Sequence, residues 1–75
     1  MAYLAVNKDG KEVRFDGKER PIRHSNVWMQ EHCKISSDAN GLRGILYLFG
    51  KTLPFGTIIA LTGQKITFDN EPIKI

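Results

Sequence analysis

Cysteine is almost absent from this chain. Cys33 is the only one, which excludes an intramolecular disulfide, and a secreted domain this small normally depends on one or more such staples. A reducing compartment is therefore expected, most simply the cytosol. Long hydrophobic runs are lacking too. Ala2 to Val6 is too short for the core of a secretion signal and has no basic stretch before it. The apolar stretch from Leu42 to Leu61 is broken by Lys51, Pro54 and several glycines, so no membrane span is expected. An excess of one charge is also small: 11 basic against 8 acidic residues leave +3. A dedicated nucleic-acid binder of this size concentrates its basic excess on one face or arm.

Side chains that carry chemistry are equally sparse. His24, His32 and Cys33 are the only soft metal ligands beyond two methionines, and a closed structural zinc site needs four, usually in paired short spacings. His32 and Cys33 are neighbours, so on a strand they point to opposite faces. Neither a metal nor another cofactor is expected. Gly50-Lys51-Thr52 has the ending of a phosphate-binding loop, but Gly44 stands one residue too far from it, a hydrophobic strand fills the interval and Pro54 blocks a clean helix start. A His24–Cys33 catalytic pair would have no orienting group, and the domain has little room for a substrate pocket beside its core. Cys33 reads as a buried or half-buried, inert residue. The carboxylates are scattered through turns, where Asp and Asn serve backbone geometry. The chain is not expected to be an enzyme.

What is present suits one ordered domain over residues 1–75. Apolar residues make up 41% and charged residues 25%, enough apolar surface to offset the entropy of ordering. Ala2 to Phe15 reads as a hairpin around Asn7-Lys8-Asp9-Gly10. Two registers compete. A two-residue turn at Asp9-Gly10 pairs Val6 with Val13 and Leu4 with Phe15; a type I turn with a bulge at Gly10 pairs Ala5 with Val13 and Tyr3 with Phe15. The first buries larger aliphatic groups and is favoured, although the Asn-Lys-Asp-Gly order suits the second. A one-residue slip turns a whole strand over, so the two exclude each other.

Asp16-Gly17 makes a further turn, and Pro21 limits where the next strand starts. Ile22 to Met29 reads as extended, with Ile22, His24, Asn26 and Trp28 on one face, and Glu31 to Ile35 continues or returns it. Ser36 to Gly41 is a loop by composition. Ile45 to Phe49, five successive apolar residues between Gly44 and Gly50, predicts a central strand covered on both faces. Thr57 to Thr62 predicts a short helix, capped by the Thr57 hydroxyl and ended by Gly63, with Ile58, Ile59 and Leu61 docking it. A last hairpin is expected between Lys65–Phe68 and Pro72–Ile75, with Ile66 and Phe68 on one side. The fold class is α+β, mainly antiparallel: five or six short strands in a bent sheet or small, partly open barrel, with one helix near residues 57–62. By analogy of element order an SH3-like barrel fits, and that carries no function.

Large aromatics dominate both cores and interface hot spots. Trp28 is expected mainly in the core, yet Trp28, Met29 and Phe55 are the candidate partner-binding residues; Phe55, between Pro54 and Gly56, is the one most open to exposure. The basic segment Lys11 to Arg23 supplies Arg14, Lys18, Arg20 and Arg23 as candidate phosphate-binding residues, with Trp28 as a stacking platform. Glu12, Asp16 and Glu19 interleave it, so it reads first as a solvated face.

The tail Leu53-Pro54-Phe55-Gly56-Thr57-Ile58, its helix to Gly63, the run Lys65 to Phe68, the acidic turn Asp69-Asn70-Glu71 and Pro72-Ile73 resemble a pattern in small uncharacterised bacterial and bacteriophage proteins. The opening, with Asp9-Gly10 and Phe15-Asp16-Gly17-Lys18, is similar to their first half, while Asn26 to Gly44 departs from it. The resemblance implies a bacterial cytosolic setting, chromosomal or phage-borne, and supplies no activity and no site residues. The function expected is a small accessory protein that binds another protein, directed at a host or defence factor if phage-borne. The alternative is a nucleic-acid-binding module using residues 11–23. Homo-oligomers are a further expectation, because a short sheet leaves open edges.

Overall fold

The computed structural model describes residues 2–36 and 43–75. In chain order they form β1 (Tyr3–Val6), β2 (Glu12–Phe15), β3 (Ile22–His24), β4 (Val27–Ser36), β5 (Arg43–Phe49), β6 (Lys51–Thr52), α1 (Thr57–Thr62) and β7 (Ile73–Lys74). The strands build two open sheets, ordered β6-β2-β1-β7 and β3-β4-β5, and every pairing is antiparallel. The architecture is α+β with a helix at the expected place. Among the described residues it has seven strands rather than five or six, because β6 and β7 are two-residue edge pieces. The loop expected over Ser36–Gly41 falls, Ser36 apart, outside the described residues.

The first hairpin adopts the register that sequence reasoning placed second: Tyr3 opposes Phe15 and Ala5 opposes Val13. The turn decides it. Gly10 sits at φ 90° and its N–H donates to the Asn7 carbonyl at 2.9 Å, while Asp9 Oδ1 accepts the Lys11 N–H at 2.9 Å. This is the type I turn with a left-handed glycine bulge. Burial could not choose between registers because β1 is buried on both faces. Tyr3 and Ala5 join Val13, Phe15 and Trp28 in one cluster; Leu4 and Val6 join Ile58 in a second.

β1 thus holds the central position expected of Ile45–Phe49. β5 is an exposed edge instead. Ile45, Leu46, Leu48 and Phe49 are all exposed, Phe49 at 72%. The ribbon of β4 and β5 departs from the core, and the molecule measures 49 × 24 × 18 Å. β3 and β4 form a hairpin, not one extended run. Ser25 and Asn26 make the turn, with Ser25 at φ 60°, so Ile22 opposes Met29 and Arg23 opposes Trp28.

The expected C-terminal hairpin is replaced by a different pairing. Ile73 and Lys74 pair with Leu4 and Tyr3, and Ala2 and Ile75 exchange N–H···O bonds of 3.1 and 2.8 Å. Residues 73–75 thus join the first sheet as its edge, and residues 65–68 form no strand beside them. Ile66 and Phe68, expected on one side, pack against different clusters, Ile66 on that of Leu4 and Phe68 on that of Trp28.

Gly50 joins β5 to β6 where the backbone passes over the core. A methyl group built there would lie 2.7 Å from Val13 Cβ and 2.9 Å from Phe15 Cζ, and both residues are buried. Overpacking a filled core costs about 1–3 kcal/mol. Gly50→Ala is expected to lower the unfolding free energy by that amount and so lower the urea midpoint; an unchanged midpoint would contradict the close approach. The following Lys51-Thr52 pairs with Arg14 and Val13, so this stretch is a sheet edge and not a phosphate loop.

Candidate protein-binding surface

Leu53-Pro54-Phe55-Gly56-Thr57 enters the helix through a tight turn. The Pro54 carbonyl accepts the Thr57 N–H at 3.2 Å and the Thr57 hydroxyl at 2.5 Å. Gly56, at φ 89° and ψ −2°, occupies the third position, the geometry of a type II turn. Phe55 is the second residue of that turn and projects from it, 92% exposed.

The turn is held from below by a residue that sequence reasoning passed over. Glu12, on β2, is buried. Its Oε2 accepts the Gly56 N–H at 2.5 Å and its Oε1 accepts the Ile58 N–H at 2.6 Å, and its own carbonyl accepts the Leu53 N–H at 2.8 Å. This carboxylate, not the Thr57 hydroxyl, satisfies the start of α1, whose cap position is Gly56. The other end closes as expected, with the Gly63 N–H on the Ile59 carbonyl at 2.8 Å. Of the three residues expected to dock the helix only Ile58 is buried; Ile59 and Leu61 face outward. Register would have revealed Glu12: it opposes Val6 on the face that meets Ile58.

Beside the turn lies a groove of about 610 Å³. Its apolar lining comes from Phe55, Ile58, Ile59, Ile66 and Phe68, with Val6 from the sheet. The lining is mainly apolar, with Lys8, Glu12, Lys65 and Asp69 as its charged members.

The other expected site residues are dispersed. Trp28 is 2% exposed and cannot contact a partner. Its indole N–H donates to the Val6 carbonyl at 3.0 Å, and its backbone N–H donates to Asn7 Oδ1 at 2.9 Å. Nor is its ring free for a base to stack on: the Arg23 guanidinium lies 4.7 Å from its centroid and the Phe68 ring meets it edge-on at 6.1 Å. Met29 is half-buried on β4, between Ile22 and Phe49 in the register. Arg14 pairs with Asp16 at 2.8 Å and Arg20 with Glu71 at 3.4 Å. Arg23 Nε donates to the Phe68 carbonyl at 3.1 Å. Arg14 and Lys18 share a second hollow with Lys51, bordered also by Asp16, Glu19 and Glu31, so the basic segment mixes both signs.

Cys33 is exposed, where a buried or half-buried position was expected. His24 opposes Val27, and Cys33 lies six positions further along β4, roughly 20 Å at strand spacing, so the two do not meet. No helix among the described residues is long and apolar enough to cross a membrane. Comparison with known proteins gives no match to this chain, whether by family model, by curated sequence or by solved structure.

Proposed function

We propose that this chain is a small non-enzymatic accessory protein that acts by binding another protein through the Phe55 groove. The observation that carries the reading is Phe55 itself, a 92% exposed aromatic at the mouth of an apolar groove. Exposing such a residue leaves apolar surface in water, and fixing it on a type II turn reduces the entropy lost when a partner immobilises it. A partner that offers an apolar anchor beside acidic groups would suit the groove and the flanking Lys8 and Lys65. Glu12, the buried carboxylate at the groove, has both oxygens engaged by backbone N–H groups, which supports a structural role for it over an acid–base one.

The bacterial cytosolic setting, a phage origin and a host or defence factor as target belong to the same proposal and rest on the resemblance of the two chain ends. Nucleic-acid binding has less support, because Arg14, Arg20 and Arg23 are each engaged within the molecule. Capture from bacterial lysate with immobilised wild type and Phe55→Ala tests the reading. Truncation of a hot-spot aromatic weakens binding by about 10–100-fold, so a specific protein band is expected to fade by that factor while the melting temperature stays unchanged. Equal capture by both proteins would overturn the assignment of Phe55. Nucleic acid recovered at low salt and lost steeply as salt rises would favour the alternative.

A further inference from the structure

We infer that β5 is a self-pairing edge, through which two copies of this chain join in an antiparallel, two-fold arrangement that continues the β3-β4-β5 sheet. β5 is hydrogen-bonded to β4 on one side, and among the described residues nothing pairs with its other side. Edge strands are ordinarily kept apart by lysine, proline, a bulge or short length. β5 has none of these over Gly44–Phe49. It is seven residues long. The bulge of this ribbon lies on the inner strand, at His32 between Glu31 and Cys33.

The occupant follows from the order of side chains. A two-fold contact brings the same patch against itself, so its halves must be complementary. Pairing centred on Leu46 sets Leu46 against Leu46 of the partner subunit and Ile45 against the partner's Tyr47. Gly44 then meets the partner's Leu48. Space exists there, since a Cβ at Gly44 would find nothing within 4 Å. No acidic residue lies on β5, and Glu31 and His32 are on β4, so the pairing opposes no like charges across residues 44–48. Leu46 and Leu48, two apart on β5, share one face, and the bulge on β4 brings Cys33 opposite Leu46 on that face; Leu46 and Leu48 of both copies then form one apolar row.

On β5, Ile45, Leu46, Leu48 and Phe49 are 44%, 39%, 44% and 72% exposed. At roughly 200 Å² per large apolar residue this leaves about 400 Å² open, about half of the ~800 Å² per partner in a standard interface and in the range of a weak, concentration-dependent dimer.

The test is sedimentation equilibrium of the full chain from micromolar to near-millimolar concentration, for wild type, Leu46→Lys and Leu61→Lys. Wild type is expected to reach twice the chain mass. Leu46→Lys places two like charges at the two-fold axis and is expected to raise the dimer dissociation constant by at least about 100-fold. Leu61→Lys removes an exposed leucine from α1, away from β5, and is expected to leave dimerisation intact. Trp28 fluorescence and the thermal transition report that each variant is folded. A monomer across the range, or a dimer that Leu46→Lys leaves as tight as wild type, overturns the inference. It stands apart from the Phe55 groove: a monomer that still captures a partner through Phe55 removes self-pairing and leaves the docking reading in place.

Discussion

Trp28→Ala is expected to remove about 3–5 kcal/mol, the cost of deleting a large buried aromatic. A chain of this size has only roughly 4–11 kcal/mol to lose. Trp28 belongs to both sheets' interests. It lies on β4, packs with Tyr3, Ala5, Val13 and Phe15 of the other sheet, and ties itself to Val6 and Asn7 through its two N–H groups. Its removal opens a cavity and leaves the Val6 carbonyl without its indole donor. At about 4–8 °C per kcal/mol for a domain of this length, the melting temperature should fall by about 12–40 °C. Trp28→Phe separates the two contributions: it keeps most of the packing and loses the N–H, for about 1–3 kcal/mol. Thermal denaturation followed by far-ultraviolet circular dichroism measures both. A loss under about 1 kcal/mol for Trp28→Ala would mean that the two sheets do not depend on this contact.

Glu12→Gln is the second large effect, at about 2–3 kcal/mol. The shape of the side chain is kept, so the change isolates the hydrogen bonds. An amide can present one oxygen, whereas Gly56 and Ile58 both donate to the carboxylate. One of those N–H groups would then face the amide NH2. The outcome has two readable parts. Urea denaturation should show the loss of stability, and hydrogen exchange should show the Gly56 and Ile58 amides opening faster than those of β1 and β2. Unchanged exchange at those two amides would show that the carboxylate is not what holds the turn.

These two residues also mark the limits of sequence reading. Trp28 was legible as core because a small chain with one tryptophan needs it inside. Glu12 was not, because its partners lie 44 and 46 positions away and local pattern assigns the cap to Thr57. The helix itself was legible from its length and from Gly63. Phe55 was half legible: Pro54 and Gly56 on either side marked a loop, and the sequence left its exposure open. The buried strand was misplaced for a physical reason. A run such as Ile45–Phe49 signals coverage on both faces only if no other strand takes that position, and β1 takes it with Leu4 and Ala5 fully enclosed. The hairpin register failed for the same reason, since alternation carries no information along a strand buried on both sides. The C-terminal alternation of Ile66 and Phe68 resembled a strand but served two separate clusters.

The carboxylate beneath the type II turn also ties the position of Phe55 to the first hairpin. α1 has six residues, too few to persist alone, and its first amides are satisfied by a group on β2. Phe55 therefore owes its fixed position to contacts between the first hairpin and a segment more than forty residues later. On the proposed docking role, a chain that had not folded would carry the same phenylalanine on a loose segment, and Glu12 would couple binding to folding.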